Sequence, residues 1–245
     1  MKSLIIISFS LIIHFAMSDF ASAEKSLSKS VQRSESDLKR DLSSKPYQMM
    51  DFLGVKKGDA VLDFLGGSGY YSQLLSERVG EAGKVVLHTN QAYIKFVGKQ
   101  LEERAASGGL DKVTRLLSEA DDLKFGENQF DSAILVLGYH DFFFKDEGWD
   151  FPADKVIPQL HKSLKKGGKL LIIDHSAKKD SGVSEAKSLH RIEDLYVKKD
   201  ILKRGFKFVK EADLLRNSAD PRELSAFDPK IRRKTDRFVY LFEKE

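Results

Sequence analysis

From Ala60 onward the apolar positions alternate between two rhythms. Short apolar or alternating runs predict strands at Ala60–Phe64, Lys84–His88, Val113–Leu117, Phe130–Leu137 and Lys169–Asp174. Between them, apolar residues three and four apart predict helices at Tyr70–Val79, Ala92–Ala106 and Asp154–Leu164. Gly80 stops the first of these helices and Lys166-Gly167-Gly168 the last. Phe130–Leu137 has the continuous apolar run of a strand covered on both faces. Strands alternating with helices in this way predict an α/β chain built on a parallel sheet with helices on both sides. Upstream, Pro46 suits the first turn of a helix carrying Met49, Met50, Phe52 and Leu53, closed by Gly54. Downstream, Leu195–Arg204 reads as a helix and Phe206–Glu211 and Arg237–Phe242 as strands. The stretch Arg216–Thr235 has no period, and a structureless segment of about twenty residues in a compact domain is functional or disordered in most cases.

Composition narrows the chemistry. The chain has 245 residues, 41 Lys+Arg against 37 Asp+Glu, and no Cys. Disulfides, thiolate nucleophiles, Cys-ligated zinc and iron–sulfur clusters are therefore excluded. The net charge of +4 is too mild to point to nucleic acid. Residues 176–245 carry 18 Lys+Arg and 13 Asp+Glu, a basic tail on an otherwise balanced chain.

The N-terminus reads as an address. Lys2 precedes an apolar run from Leu4 to Ile13, and Ala21-Ser22-Ala23 stands before Glu24, the pattern of a cleavable secretory signal over residues 1–23. An exported, periplasmic or secreted protein is expected, with no stable membrane insertion once the signal is removed. Residues 24–44 are polar and Ser/Lys-rich, a lead-in with one short helix around Ser34–Leu42.

The most informative stretch is Asp63-Phe64-Leu65-Gly66-Gly67-Ser68-Gly69, where a buried strand runs through a glycine-rich turn into a helix. Such a turn lets the backbone approach a ligand closely. The dinucleotide fingerprint would need glycine at position 72, which is Ser72, and the Gly-Lys-Ser/Thr of a phosphate loop is absent.

At these residues the chain resembles class I S-adenosylmethionine-dependent methyltransferases, and the resemblance runs from about Pro46 to the C-terminus. It implies a Rossmann-like doubly wound sheet, mostly parallel with an antiparallel last strand, over residues 45–245. It also implies S-adenosyl-L-methionine as cofactor, with Asp63, Gly66, Gly67 and Gly69 around its amino-acid end. By the same resemblance Glu119 faces the adenine amino group, Ala120 lies against the ring, and Asn90 stands near the ribose. More narrowly, Tyr139-His140-Asp141, Asp174-His175, Leu189-His190-Arg191-Ile192 and Phe227-Asp228-Pro229 are similar to blocks in a group of exported bacterial predicted methyltransferases. Two positions depart from the wider family: Leu65 replaces its first glycine, and Asn90 stands where an acid ends the second strand. These departures favour an alternative reading, an exported binding protein of this fold without turnover. Asp63, Gly67, Gly69 and Glu119 favour the enzyme.

Methyl transfer needs in-line placement of the acceptor and often a base. Tyr139, His140 and Asp141 follow the fourth strand and His175 follows the fifth, the ends at which open α/β sheets hold ligands. His140, Asp141 and His175 are the candidate catalytic residues, with either histidine as base or substrate orienter and Asp141 fixing a tautomer. Arg216, Asn217, Asp228, Arg232 and Arg237 form either a lid across residues 216–235 or an ion-pair cluster pinning that loop. A small-molecule substrate is expected and nucleic acid is not. With no His-Glu-x-x-His pair, no metal ligand set is expected.

Overall fold

The computed structural model describes residues 33–245; the signal read at 1–23 lies outside the described residues. Two helices, α1 (Glu35–Ser44) and α2 (Pro46–Leu53), precede the alternating region. There follow β1 (Ala60–Phe64), α3 (Tyr70–Val79), β2 (Lys84–Thr89), α4 (Gln91–Ala106), β3 (Val113–Leu117) and β4 (Phe130–Val136). A 3₁₀ turn at His140–Phe143 leads to a small ribbon, β5 (Lys145–Asp146) with β6 (Trp149–Asp150), and then to α5 (Ala153–Ser163) and β7 (Leu164–His175). The chain ends with α6 (Ala186–Leu189), α7 (Asp194–Leu202), β8 (Phe206–Glu211) and β9 (Arg237–Lys244).

Seven strands form one sheet in the order β3-β2-β1-β4-β7-β9-β8, parallel except for β9, which runs antiparallel to both its neighbours. This is the doubly wound arrangement expected, with the last strand reversed. Successive side chains of a strand point to opposite faces, and the core divides accordingly. Leu62, Phe64, Leu170, Ile172, Phe238 and Phe242 pack in one cluster with α5 and α7. Their sequence neighbours Val61, Leu171, Ile173, Val239 and Leu241 pack in another with α2 and α3. Each fully buried aliphatic or Phe side chain contributes about 1.5–3 kcal/mol, so the two layers supply the bulk of the stability.

One boundary differs from the sequence reading. Lys166–Gly168, expected to stop a helix reaching Leu164, lies inside β7, which already begins at Leu164. β4 pairs Phe130 with Leu164 and Ser132 with Lys169, so the intervening residues bulge out of register around Gly167 at φ +72°.

The helix expected in the lead-in is α1, capped by the Ser34 hydroxyl, which accepts from the Asp37 N–H at 3.2 Å. It is fastened to the sheet. Arg104 on α4 grips Asp37 through both carboxylate oxygens at 2.6 and 3.1 Å. The same guanidinium donates to the Ser68 carbonyl and to Gln73 Oε1, so one side chain joins α1, the glycine turn, α3 and α4. No helix among the described residues is long and apolar enough to cross a membrane.

Candidate functional site

The strand order reverses between β1 and β4, the switch point at which open α/β sheets leave a crevice. A cavity of about 380 Å³ lies there, within the usual size of small-molecule sites. The turn after β1 gives its floor. Asp63 is the last polar residue of β1, and Leu65, Gly66 and Gly67 carry the chain around it. Gly66 has no room for a side chain: a Cβ there would stand 2.5 Å from the Asp63 carboxylate and 2.4 Å from Leu87. Gly67, at φ +61°, is different, because a Cβ would face only Tyr93 and Val97 at 3.8 Å, both of them cavity walls. Its missing side chain is part of the empty volume.

Leu65 sits at φ +52°, the left-handed backbone that glycine adopts freely. The turn geometry is thus kept in spite of the side chain, which is buried in the α5 layer of the core.

Asp63 is fully buried, and the Ser72 hydroxyl donates to it at 2.6 Å. Burial raises its carboxyl from the usual 3.8 to about 6, with the Ser72 bond and the Arg40 charge pulling the other way. Among the described residues it is the only acid on the cavity wall, which also carries Arg40, Arg232, Arg233 and Arg237. None of these four arginines has a carboxylate partner among the described residues. Arg237 is nearly buried, donates through one Nη to the Ser43 carbonyl at 2.6 Å, and leaves its Nε unpartnered. A buried guanidinium with so little local compensation suits an incoming anion.

Beyond β4 and β7 stand the histidines. His140 is buried between two carboxylates: its Nδ1 lies 2.8 Å from Asp174 Oδ1 and its Nε2 lies 3.1 Å from Asp141 Oδ1. Burial favours the neutral ring, but Asp174 and then Asp141 overcome it and raise the imidazole to about 10. Asp141 is buried too, and the adjoining imidazolium holds it down at about 2. His175 goes the other way. Its burial, reinforced by the charges of His140, Arg237 and Arg191, drives its pKa well below the usual value, so the ring is neutral at pH 7. Its Nδ1 is 2.7 Å from the Thr235 hydroxyl.

The structure brings Asp63, Gly66, Gly67, His140 and His175 to one cavity. Gly69 opens α3 at φ +80° and packs against Leu110 and Leu87, outside the cavity wall. Asn90 and Glu119 meet at the start of α4, where Asn90 Oδ1 accepts from Tyr93 N and Glu119 Oε1 accepts from Gln91 N, both at 2.9 Å. Ala120 is buried in the core, and its carbonyl accepts from Gln159. Asp141 contacts His140 without lining the cavity.

Loop 216–235 divides between the two roles read for it. Arg216 and Arg222 both reach Asp236, and the Asn217 N–H donates to the same carboxylate, pinning one half. Arg232 and Arg233 on the other half, with Arg237 just beyond, line the cavity. Sequence reasoning expected α1 but missed that Arg40, Ser43 and Ser44 on it form a wall of the cavity, because nothing in a short polar helix says what its polar face will meet.

Residues 39–208 match the model of the ubiE/COQ5 methyltransferase family. Among curated relatives, a ubiquinone/menaquinone biosynthesis C-methyltransferase of Haemophilus ducreyi is 32% identical over 127 residues, 52% of this chain and 45% of its own length. The chain thus spans about half the length of the curated relatives it matches. Among solved structures, a SAM-dependent methyltransferase from Aquifex aeolicus superposes with a TM-score of 0.60 at 21% identity, over 84% of this chain and 93% of that one. The cyclase SpnF superposes with a TM-score of 0.56 at 15% identity, over 82% of this chain and 80% of its own. These likenesses show the class I methyltransferase fold, and SpnF illustrates that the fold alone does not choose the reaction.

Proposed function

The chain belongs to the ubiE/COQ5 methyltransferase family, and on that premise we propose that it transfers a methyl group from S-adenosylmethionine to a small anionic acceptor. The observation that carries this reading is the buried Asp63 carboxylate on the floor of a cavity otherwise ringed by arginines. The residues present fit the cofactor: a lone buried carboxylate suits an ammonium group, and the space beside Gly67 admits a ligand close to the backbone. When bound, the cofactor supplies an electrophilic methyl on a sulfonium.

The protein supplies position and charge. Asp63 holds the ammonium end, while Gly66 and Gly67 let the chain pass close by. Arg237, Arg232 and Arg233 draw in the anionic end of the acceptor, and Arg237, fixed to the Ser43 carbonyl, orients it. His175 lines the cavity and is held through Nδ1 by Thr235, so it is the imidazole placed to take the acceptor's proton. His140, clamped by two carboxylates, orients rather than accepts. The export reading of residues 1–23 is retained in this proposal, so the acceptor is one met outside the cytosol.

Thermal unfolding with and without S-adenosylhomocysteine tests the proposal, because a ligand that binds the native state alone raises the midpoint with concentration. The expected result is a concentration-dependent rise that disappears in Gly67→Asp, whose side chain fills the cavity. An unchanged midpoint at millimolar ligand, or an equal rise in both proteins, overturns it.

A further inference from the structure

The structure brings a third residue to the His140–Asp141 pair. His190, at the C-terminal end of α6, is held at φ +51°, and its Nδ1 lies 3.9 Å from Asp141 Oδ1. The ligand atoms of His140, Asp141 and His190 all lie within 4.8 Å of one another. We propose that these three residues form a binding site for a divalent first-row transition metal such as zinc.

The geometry fits. Ligands about 2.0–2.2 Å from a tetrahedral zinc stand roughly 3.3–3.5 Å apart. The observed 3.1 Å from His140 Nε2 to Asp141 and 3.9 Å from His190 Nδ1 to Asp141 bracket that spacing. A small movement of His190, which is half-buried and therefore freer than His140, closes the set. The donors are two imidazole nitrogens and one carboxylate oxygen, a combination that suits zinc, iron or cobalt better than magnesium or calcium.

The surroundings fit as well. A metal-binding histidine usually donates its other ring nitrogen to a carboxylate, which fixes the tautomer and aims the free nitrogen at the ion. Asp174 does this here, taking His140 Nδ1 at 2.8 Å and the His140 backbone N–H at 2.9 Å, while Nε2, protonated toward Asp141 in the metal-free protein, gives its proton to solvent as the ion takes its place. Asp141 is held in turn by its carbonyl, which accepts from the Trp149 indole at 2.7 Å. The Phe227 ring, 4.7 Å from that of His190, closes one side. The two carboxylates Asp141 and Asp174 balance a dication in a buried place, where unmatched charge is costly.

Three protein ligands leave coordination positions open, as in catalytic rather than structural zinc sites. His140 and Phe227 also line the cavity, so the metal stands at its edge. The site stands independently of the methyl-transfer reading; only its role rests on that reading, namely that the metal holds an oxygen atom of the acceptor.

Titration of the full, untagged chain with cobalt(II) after stripping with chelator tests the site, since low-coordinate cobalt absorbs strongly in the visible. The expected result is one cobalt per chain at micromolar or tighter affinity, displaced by zinc. His190→Asn, which tolerates the left-handed backbone, is expected to weaken binding at least tenfold while the circular dichroism stays native. Asp174→Asn is expected to weaken it about 10–100-fold. No visible bands at millimolar cobalt, or unchanged affinity in a folded His190→Asn, overturns the proposal. Adenosylhomocysteine binding measured on the same samples separates the two readings. Cobalt binding without nucleotide binding keeps the site and removes its role, whereas nucleotide binding without cobalt removes the site alone.

Discussion

The Arg191 guanidinium and the Asp220 carboxylate pair at 2.9 Å with neither side chain exposed to solvent. Arg191 spends its remaining donors on the Leu224 and Ser176 carbonyls, while Asp220 also accepts from the N–H groups of Arg222 and Asp236. This single pair ties the unpatterned loop to the ends of β7 and β9. Removing one partner leaves a buried charge without compensation, which costs about 3–5 kcal/mol. Asp220→Ala is therefore expected to lose that much in urea unfolding, and hydrogen exchange should accelerate across residues 216–235. A loss below about 1 kcal/mol would show that the loop is held by other means.

Leu65 allows a test of stored backbone strain. Its left-handed conformation costs about 1–2 kcal/mol in a residue with a Cβ. Leu65→Ala removes buried side chain and keeps that cost, whereas Leu65→Gly removes the side chain and the cost together. Both variants are expected to be less stable than the natural chain, with the glycine variant about 1 kcal/mol more stable than the alanine. Elsewhere in a strand or helix the order is the reverse, so an alanine variant that proves the more stable contradicts the assigned turn.

The Asp63 carboxyl at about 6 links cofactor binding to pH. Its charged form attracts an ammonium group and its neutral form does not. Adenosylhomocysteine affinity is therefore expected to rise as pH increases from 5 to 7, by up to about tenfold per pH unit below 6, and then to level off. Asp63→Asn should bind more weakly and without this slope. Stability moves the other way. Because the folded pKa lies above the ordinary 3.8, the contribution of Asp63 is complete below about pH 4 and is lost as pH rises through 6. The stability of Asp63→Asn relative to the natural chain should accordingly grow by about 1–3 kcal/mol between pH 4 and 7. Parallel pH–stability curves for the two proteins would remove Asp63 as the titrating group.

The α1 wall depends on the Asp37–Arg104 pair, which joins residues 67 positions apart. Asp37→Ala strands a largely buried guanidinium that still holds the Ser68 carbonyl and Gln73. It is expected to cost about 1–3 kcal/mol and to expose α1 to limited proteolysis ahead of the rest of the domain. Equal protease resistance in both proteins would show that α1 is held by other contacts.

Much of this architecture was legible in the chain. The alternation of Val61 with Leu62, and of Leu171 with Ile172, carries the two-faced sheet in its period. The glycines after Asp63 mark the turn without reference to anything distant. What the sequence leaves dark are pairings made across long separations by polar side chains. Nothing local to Arg104 says that it will reach Asp37, and nothing local to His190 says that it will face Asp141. The loop holding Asp220 reads as unstructured because its order comes from the Arg191–Asp220 pair, from Arg216 and Arg222 on Asp236, and from backbone hydrogen bonds, none of which has a period. The bulge within β7 was hidden for a related reason: Gly167 and Gly168 break a helix and kink a strand equally well.

Calorimetric titration of the full chain with S-adenosylhomocysteine, beside a parallel titration with NADH, is the most direct measurement of the central claim that the cavity at Asp63 is a working cofactor site. The prediction is one molecule of adenosylhomocysteine per chain at micromolar affinity near pH 7.5, sharply weakened in Asp63→Asn, and no heat from NADH. Absence of adenosylhomocysteine binding by a folded chain, or binding indifferent to Asp63→Asn, would contradict it.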